Sequence, residues 1–358
     1  MGSGDHIDAG SAARLPNYTA AVPEPRGLSG APDPFYDTFV LPLAARAVMA
    51  AIGLGIFDSL AEAPADAASL AERLELDPLG VDALFTALVS LGYLEREDGR
   101  ARLAPDVAPL VVRGSPDSIA TFAGDFGVHH WDAVGLLERV LRRGEHAAWH
   151  DRGPEDPLWA AYIQGLFELS AAEQDQNAAF VDVDDPRRMV DVAGGHGSFA
   201  MAMCRRHPGL HATVLDLPGS ARIGQRIVER AGYADRVSFR EGDAFEGELG
   251  EDVDVVSAFN LMHHLPPERV VELMRRARAA LRPGGRLVIG ETERPEPGSD
   301  VSQVGALTGL AFYVESHART YALAEYRAWL SEAGFDRVEV HRNDASRWRV
   351  VIVASVPE

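Results

Sequence analysis

The stretch MVDVAGGHGSFAMAM, residues 189–203, constrains the fold more tightly than any other part of this chain. It reads as an apolar strand, a glycine-rich turn and the start of a helix. Gly194, Gly195 and Gly197 let the backbone bend sharply and let a ligand approach the main chain. The pattern then continues. Short apolar runs at HATVLDL, RVSFREGD, DVDVVSAFN and GRLVIGETE alternate with helical stretches, and FDRVEVHR and RWRVVIVASV close the series. Strands alternating with helices predict a Rossmann-like α/β domain, a doubly wound and mostly parallel sheet of seven strands, with ligands at the strands' carboxyl ends.

Ahead of this sheet the chain reads as mostly helical. AARAVMAAIGLGIFDSLAEA carries apolar residues at helical spacing, two short helices are separated at LDP, and YLEREDGRARLAP reads as two strands around Asp98-Gly99. This is the outline of a winged helix. The following stretch is helical and aromatic, with Phe122, Phe126, Trp131, Trp149, Trp159, Tyr162 and Phe167. Most of these are expected in the core or an interface, and a few against a substrate. The division expected is a flexible tail at 1–30, a helical dimerisation and substrate-lining domain at 31–182, and a catalytic domain at 183–358.

Composition removes several chemistries. All 34 basic residues are arginine, so Schiff-base catalysis, pyridoxal phosphate anchoring and the P-loop lysine are excluded. Cys204 is the one cysteine, which excludes an internal disulfide and multi-cysteine metal sites. A formal charge of −20 repels phosphate backbones, so no nucleic-acid partner is expected and the winged outline reads as a packing module. A regulator that binds DNA is the non-enzymatic rival, and the charge argues against it. No apolar run approaches the roughly 20 residues of a membrane span, and the N-terminus lacks a secretory pattern. A cytoplasmic protein with no membrane partner is expected.

Two acids sharpen the glycine turn. Asp216 ends the second strand of the sheet, 25 residues after Asp191, where a carboxylate can accept ribose hydroxyls. EGDAF ends the third strand and places Asp243 where it could contact an adenine amino group. Each acid alone could equally be a helix cap or a turn residue. Together, DVAGGHG, VLDLP, GDAF and LRPGGRLVIGE resemble the class I methyltransferases that use S-adenosylmethionine, and more narrowly the plant-type O-methyltransferase family. The resemblance covers about residues 36 to 355. It implies that Asp191, Gly194, Gly195 and Gly197 sit beside the methionine part of the cofactor. Asp216 and Leu217 would then meet the ribose, Asp243, Ala244 and Phe245 would border the adenine, and Asn260 would complete the site. It also implies a homodimer built through the front helices and a small-molecule substrate in secondary metabolism. The fourth strand ends in NLMHH, not in the Asn/Asp-Pro-Pro-aromatic run of base-methylating enzymes.

In the resembled family a His-Asp pair follows the fourth strand, and its histidine removes the substrate proton. Here the pair is His263-His264, and His263 falls on the catalytic position. A neutral imidazole with a pKa near ~6.5 can take a proton at physiological pH. A second departure is His317-Ala318, where the family usually has Gly-Gly. Glu315, two residues earlier, could point the same way or cap a turn. His263, His264 and His317 together resemble a non-haem metal site, for iron or zinc, as in a small branch that methylates the carbon beside the carbonyl of α-keto acids. A metal would be wanted there to stabilise an enolate. The expectation leans to this metal-assisted C-methylation. The alternative is metal-free O-methylation of a phenolic or other hydroxyl with His263 as general base. A further alternative is a non-methylating enzyme on the same fold. His129-His130 are expected as packing or rim residues, and His196 as a surface residue beside the cofactor.

Overall fold

The computed structural model describes residues 32–170, 173–343 and 349–357; the tail read at 1–30 lies outside them. A hairpin, β1 (Leu94–Glu97) and β2 (Arg100–Leu103), belongs to the front module. It turns through Asp98 and Gly99, both at positive φ, the geometry that tight two-residue hairpins require. The large sheet contains β3 (Arg188–Val192), β4 (His211–Asp216), β5 (Val237–Glu241), β6 (Val253–Phe259), β7 (Leu281–Thr292), β8 (Arg337–His341) and β9 (Arg349–Ser355). Its order is β5-β4-β3-β6-β7-β9-β8. Neighbours from β5 to β7 run parallel, while β9 is antiparallel to both β7 and β8. The seven-stranded doubly wound sheet matches the expectation, and β7 begins earlier than its apolar run, at Leu281.

Period-two alternation explains why both faces are covered. Val190, Val256, Leu287, Ile289 and Ile352 pack toward the helices Pro267–Ala280 and Leu323–Glu332. Met189, Val255, Val288, Val351 and Val353 pack toward Ser198–Arg206 and Pro218–Arg230 on the other side. The strand order reverses between β3 and β6, so the crevice at their carboxyl ends is where a ligand is expected.

The front module has its own core around Ile52, Phe57, Leu70, Phe85, Leu88 and Leu94. Its helices start where sequence dictates: Asp66 and Asp77 accept hydrogen bonds from the backbone of Ser69 and Gly80 and cap Ala67–Leu74 and Pro78–Ser90. Leu54 and Gly55 separate the first long helix from Ile56–Glu62. Among the described residues one helical stretch, 36–53, is long and apolar enough to cross a membrane by length and composition, where the sequence reading found none. Only Ala51 and Ile52 of it are buried, while Phe39 and Leu43 are exposed.

Candidate active site

The glycine turn is built around a buried acid. Asp191 lies inside the sheet at the end of β3 and accepts a hydrogen bond from the hydroxyl of Ser257, its register partner on β6, at 2.5 Å. Burial pushes the Asp191 carboxyl up to about 7. A side chain at Gly194 would place its Cβ 2.5 Å from the Asp191 carboxyl carbon, so only glycine fits over this acid. Gly197 has φ of 70° and starts the helix Ser198–Arg206. His196 is not the surface residue expected. It is partly buried, with Nε2 3.2 Å from the Ser170 hydroxyl and Nδ1 2.8 Å from the Ser198 hydroxyl, and burial lowers its pKa to about 4.

Asp216 reaches back to this turn from the end of β4. Its Oδ2 accepts from the Gly195 N–H and its Oδ1 from the Leu217 N–H, both at 2.7 Å. Burial raises its carboxyl to about 6 against the pull of these donors. A carboxylate has lone pairs to spare, so Asp216 can still accept further hydroxyls. Leu217 is the exposed cap of Pro218–Arg230. Asp243 is exposed and closes a turn by accepting from the Phe245 N–H at 2.8 Å. The Phe245 ring is covered by the Arg269 guanidinium at 3.5 Å, and the Ala244 carbonyl accepts from Arg276 at 3.1 Å. Asn260 follows β6 at positive φ, and its side-chain oxygen accepts from Arg349 at 2.8 Å.

Beyond β6 a short helical turn, Met262–His264, carries the histidine pair. His263 is buried, and its Nδ1 lies 2.7 Å from Oε2 of Glu291, which is fully buried on β7. The other Glu291 oxygen accepts from the Met262 N–H at 2.6 Å. Both ends of the dyad are therefore fixed: the carboxylate holds the ring by one oxygen and the ring's own turn by the other. The His263 ring stacks on Phe312 at 4.0 Å with 3° between planes. Sequence reasoning missed Glu291. A glutamate inside the apolar run LVIGETE was the available signal, because an ionisable residue within a buried strand is costly without a partner.

His264 lies beside His263, ring centroids 4.1 Å apart, and His150 lies 4.5 Å from His264. His150 was also missed. It follows Trp149 in an aromatic wall where Phe126, Trp149 and Tyr162 meet at 5.2–6.2 Å. Burial lowers the His150 pKa to about 4 and holds His264 well below the ordinary histidine value, with the neighbouring His263 adding to both. Burial holds the Tyr162 hydroxyl protonated well above its usual range. The glycine turn thus carries two acids, and the turn after β6 meets a cluster of aromatic and imidazole rings.

A family model described as an O-methyltransferase domain matches residues 138–336, and one described as an O-methyltransferase dimerisation domain matches residues 39–106. The chain belongs to this O-methyltransferase family. The 3-hydroxy-5-methyl-1-naphthoate 3-O-methyltransferase of Streptomyces sahachiroi is 29% identical over 308 residues, 83% of this chain and 87% of that protein. The acetylserotonin O-methyltransferase of Bos taurus is 30% identical over 324 residues, 84% of this chain and 91% of that protein. A crystal structure of human N-acetylserotonin methyltransferase in complex with SAM aligns with a TM-score of 0.77 at 21% identity, covering 92% of this chain and 99% of that one. The methyltransferase is S-adenosylmethionine-dependent. Its front module, including the exposed face of helix 36–53, coincides with the dimerisation domain and supports a homodimer.

The metal site expected in this methyltransferase does not assemble. The helix Gln303–Ser316 ends at His317, which takes a left-handed conformation with φ of 56°. The chain reverses there, so that Arg319 N–H reaches the His263 carbonyl at 2.9 Å. His317 itself is exposed and stacks against His146 at 5.4 Å, away from the histidine pair. Among the described residues no group of three or more histidine, cysteine or acidic side chains could hold a metal ion. The metal-assisted C-methylation of an α-keto acid loses the ligand set on which it rested, and the comparisons favour O-methylation. Glu315 turns to the half-buried His130, 2.5 Å from its Nδ1, and neither caps a turn nor joins His317.

Proposed function

We propose that this methyltransferase transfers a methyl group to a hydroxyl oxygen of an aromatic small molecule of secondary metabolism, with His263 as general base and Glu291 as its positioning partner. The observation that carries this reading is the buried His263–Glu291 pair. An amine already offers a lone pair and has no need of such a base. A hydroxyl does, because its oxygen becomes a strong nucleophile only as the proton leaves.

The chain's residues fit the cofactor. Gly194 leaves room above Asp191 that a Cβ would fill, and Asp216 keeps acceptor capacity beside the turn. In this reading Asp191, Gly194, Gly195 and Gly197 cradle the methionine portion with Asn260 at its edge. Asp216 and Leu217 hold the ribose, and Asp243, Ala244 and Phe245 flank the adenine. When bound, S-adenosylmethionine supplies an electrophilic sulfonium methyl. Full deprotonation of a phenol by imidazole is uphill by several kcal/mol, so His263 takes the proton as the new O–C bond forms. Glu291 then stabilises the imidazolium in a site that excludes water. Phe312 fixes the ring plane, and Trp149, Tyr162 and Phe126 supply aromatic surface for the substrate.

The same proposal divides the chain into a substrate-lining and dimerising part at 31–182 and a catalytic part at 183–358, and places it in the cytoplasm. The test is product analysis with phenols and naphthols in the presence of S-adenosylmethionine. An aryl methyl ether and S-adenosylhomocysteine in equal amounts are expected, and both vanish in His263→Ala. Methylation at carbon, or turnover that survives His263→Ala, overturns the reading.

A further inference from the structure

The helix Leu158–Ser170 has a cleft on the side away from the aromatic rings. Where it packs against Pro218–Arg230 and the helical turns Thr121–Phe126, a cavity of about 360 Å³ opens. Small-molecule sites begin at roughly 300 Å³. Ala160, Ala161 and Gln164 face this cleft. At about 100° per residue, Trp159 and Tyr162 fall on the opposite side of the same helix, where their rings meet His150. The cofactor residues are also distant. Arg226, in the cleft wall, lies about 14 Å along the axis of Pro218–Arg230 from Leu217, at about 1.5 Å per residue. The cleft is therefore separate from the site described above.

Its charge is unusual for this chain. Ile223, Arg226 and Arg230 share one face of their helix and line the cleft together. Arg230 donates to Oε1 of Gln164 at 2.9 Å, a neutral acceptor. Among the described residues Arg226 makes no hydrogen bond or ion pair. The acids close by are already engaged. Asp125, also in the wall, accepts from both terminal nitrogens of Arg113 at 2.8 and 2.7 Å, and Glu168 accepts from the Thr121 and Phe122 N–H groups. Arg222, on the same helix, is paired with Glu155 and Glu241. In a chain of 54 acidic and 34 basic residues acid partners are plentiful, yet neither Arg226 nor Arg230 forms an ion pair.

We propose that this cleft binds a planar aromatic carboxylate, its carboxylate held by Arg226 and Arg230 and its ring laid on Ala160, Ala161 and Ile223. A guanidinium is a planar fork of donors that matches a carboxylate with two parallel hydrogen bonds. Pro157, Ala160, Ala161 and Ile223 supply an apolar lining, and alanine side chains leave it low and flat. A bare inorganic anion would engage the guanidiniums and leave that lining wet. A neutral ring would cover the lining and leave the guanidiniums without a partner. Only a molecule with both parts uses both halves of the cleft. The site takes no part in methyl transfer and is independent of the O-methylation reading.

The experiment is calorimetry on the full-length protein saturated with S-adenosylhomocysteine, titrated with 1-naphthoate, its uncharged analogue 1-naphthamide, or inorganic phosphate. Saturable binding of 1-naphthoate is expected with a Kd at or below about 1 mM, tighter by about tenfold or more than either comparison ligand, as for a charge-assisted hydrogen bond. Arg226→Gln with Arg230→Gln should weaken 1-naphthoate by about tenfold or more and leave methyl transfer as in the wild type. Ala160 is exposed, so Ala160→Trp fills the cleft while keeping both charges, and it should abolish binding. The arginine pair carries the test alone should the tryptophan variant not fold. No saturable heat from 1-naphthoate, equal binding of 1-naphthamide or phosphate, or binding that survives the arginine substitutions overturns the proposal.

Discussion

Around Asp191 and Asp216 the methyltransferase buries acids, and around His150 and His264 it buries imidazoles, so the two regions respond to pH with opposite signs. Burial raises Asp191 from 3.8 to about 7 and Asp216 from 3.8 to about 6. Between these limits the folded chain binds more protons than the unfolded one. The stability the two acids contribute is full below about pH 4 and is lost as pH rises through 6 and 7. His150 runs the other way, lowered from 6.5 to about 4, and burial holds His264 well below its ordinary value in the same sense. Their contribution is full above about pH 6.5 and is lost as pH falls toward 4. His196, under the glycine turn, follows the histidines although it belongs to the acid half.

The largest expected effect separates chemistry from cofactor binding. His263→Ala and Glu291→Gln should each lower turnover by roughly a hundred- to ten-thousand-fold while leaving S-adenosylhomocysteine affinity unchanged by calorimetry. Loss of both together would show that the halves cannot be separated. Next, Asp216→Ala should weaken the cofactor by roughly tenfold or more, since it removes a buried charged acceptor. Turnover at saturating cofactor should largely survive. A smaller effect comes from pH. Ribose hydroxyls are best accepted by the ionised carboxylate, so wild-type cofactor affinity should fall as pH drops below about 6. Asp216→Asn should flatten that slope, and a slope that persists would assign it to another group. Smallest is His317→Ala: turnover should be unaffected in it, and dialysis against a chelator should leave wild-type activity intact. Activity restored only by added metal would reinstate the ligand set that the structure separates.

What the sequence made legible follows the same divide. Strand and helix alternation from residue 188 onward is a local signal, and it placed the sheet, its glycine turn and the acids at the ends of β3 and β4. The substrate half is assembled across long sequence separations. Glu291 meets His263 from 28 positions away, and His150 reaches His264 from another part of the chain. No periodicity records either meeting. His317 misled for a related reason: histidine as a residue type suggested a ligand, but the helix end at Ser316 decides its direction. His263 needed both sources, since its motif marked the position and only the buried carboxylate shows which nitrogen is fixed.

The place of β9 in the sheet has a consequence for how the enzyme comes into being. Residues 349–355 lie between β7 and β8, although both neighbours precede them in the chain. During synthesis the slot stays open until that segment has emerged, and the unpaired edges of β7 and β8 are exposed in the meantime. Glu291 pairs in register with Val350, so the strand that carries the partner of the proposed base His263 is completed on one side only by this late insertion. A nascent chain stopped before residue 349 would hold every glycine and acid of the cofactor half. It would be an aggregation-prone precursor that competes for chaperones, and methyl transfer would be the last property it acquires.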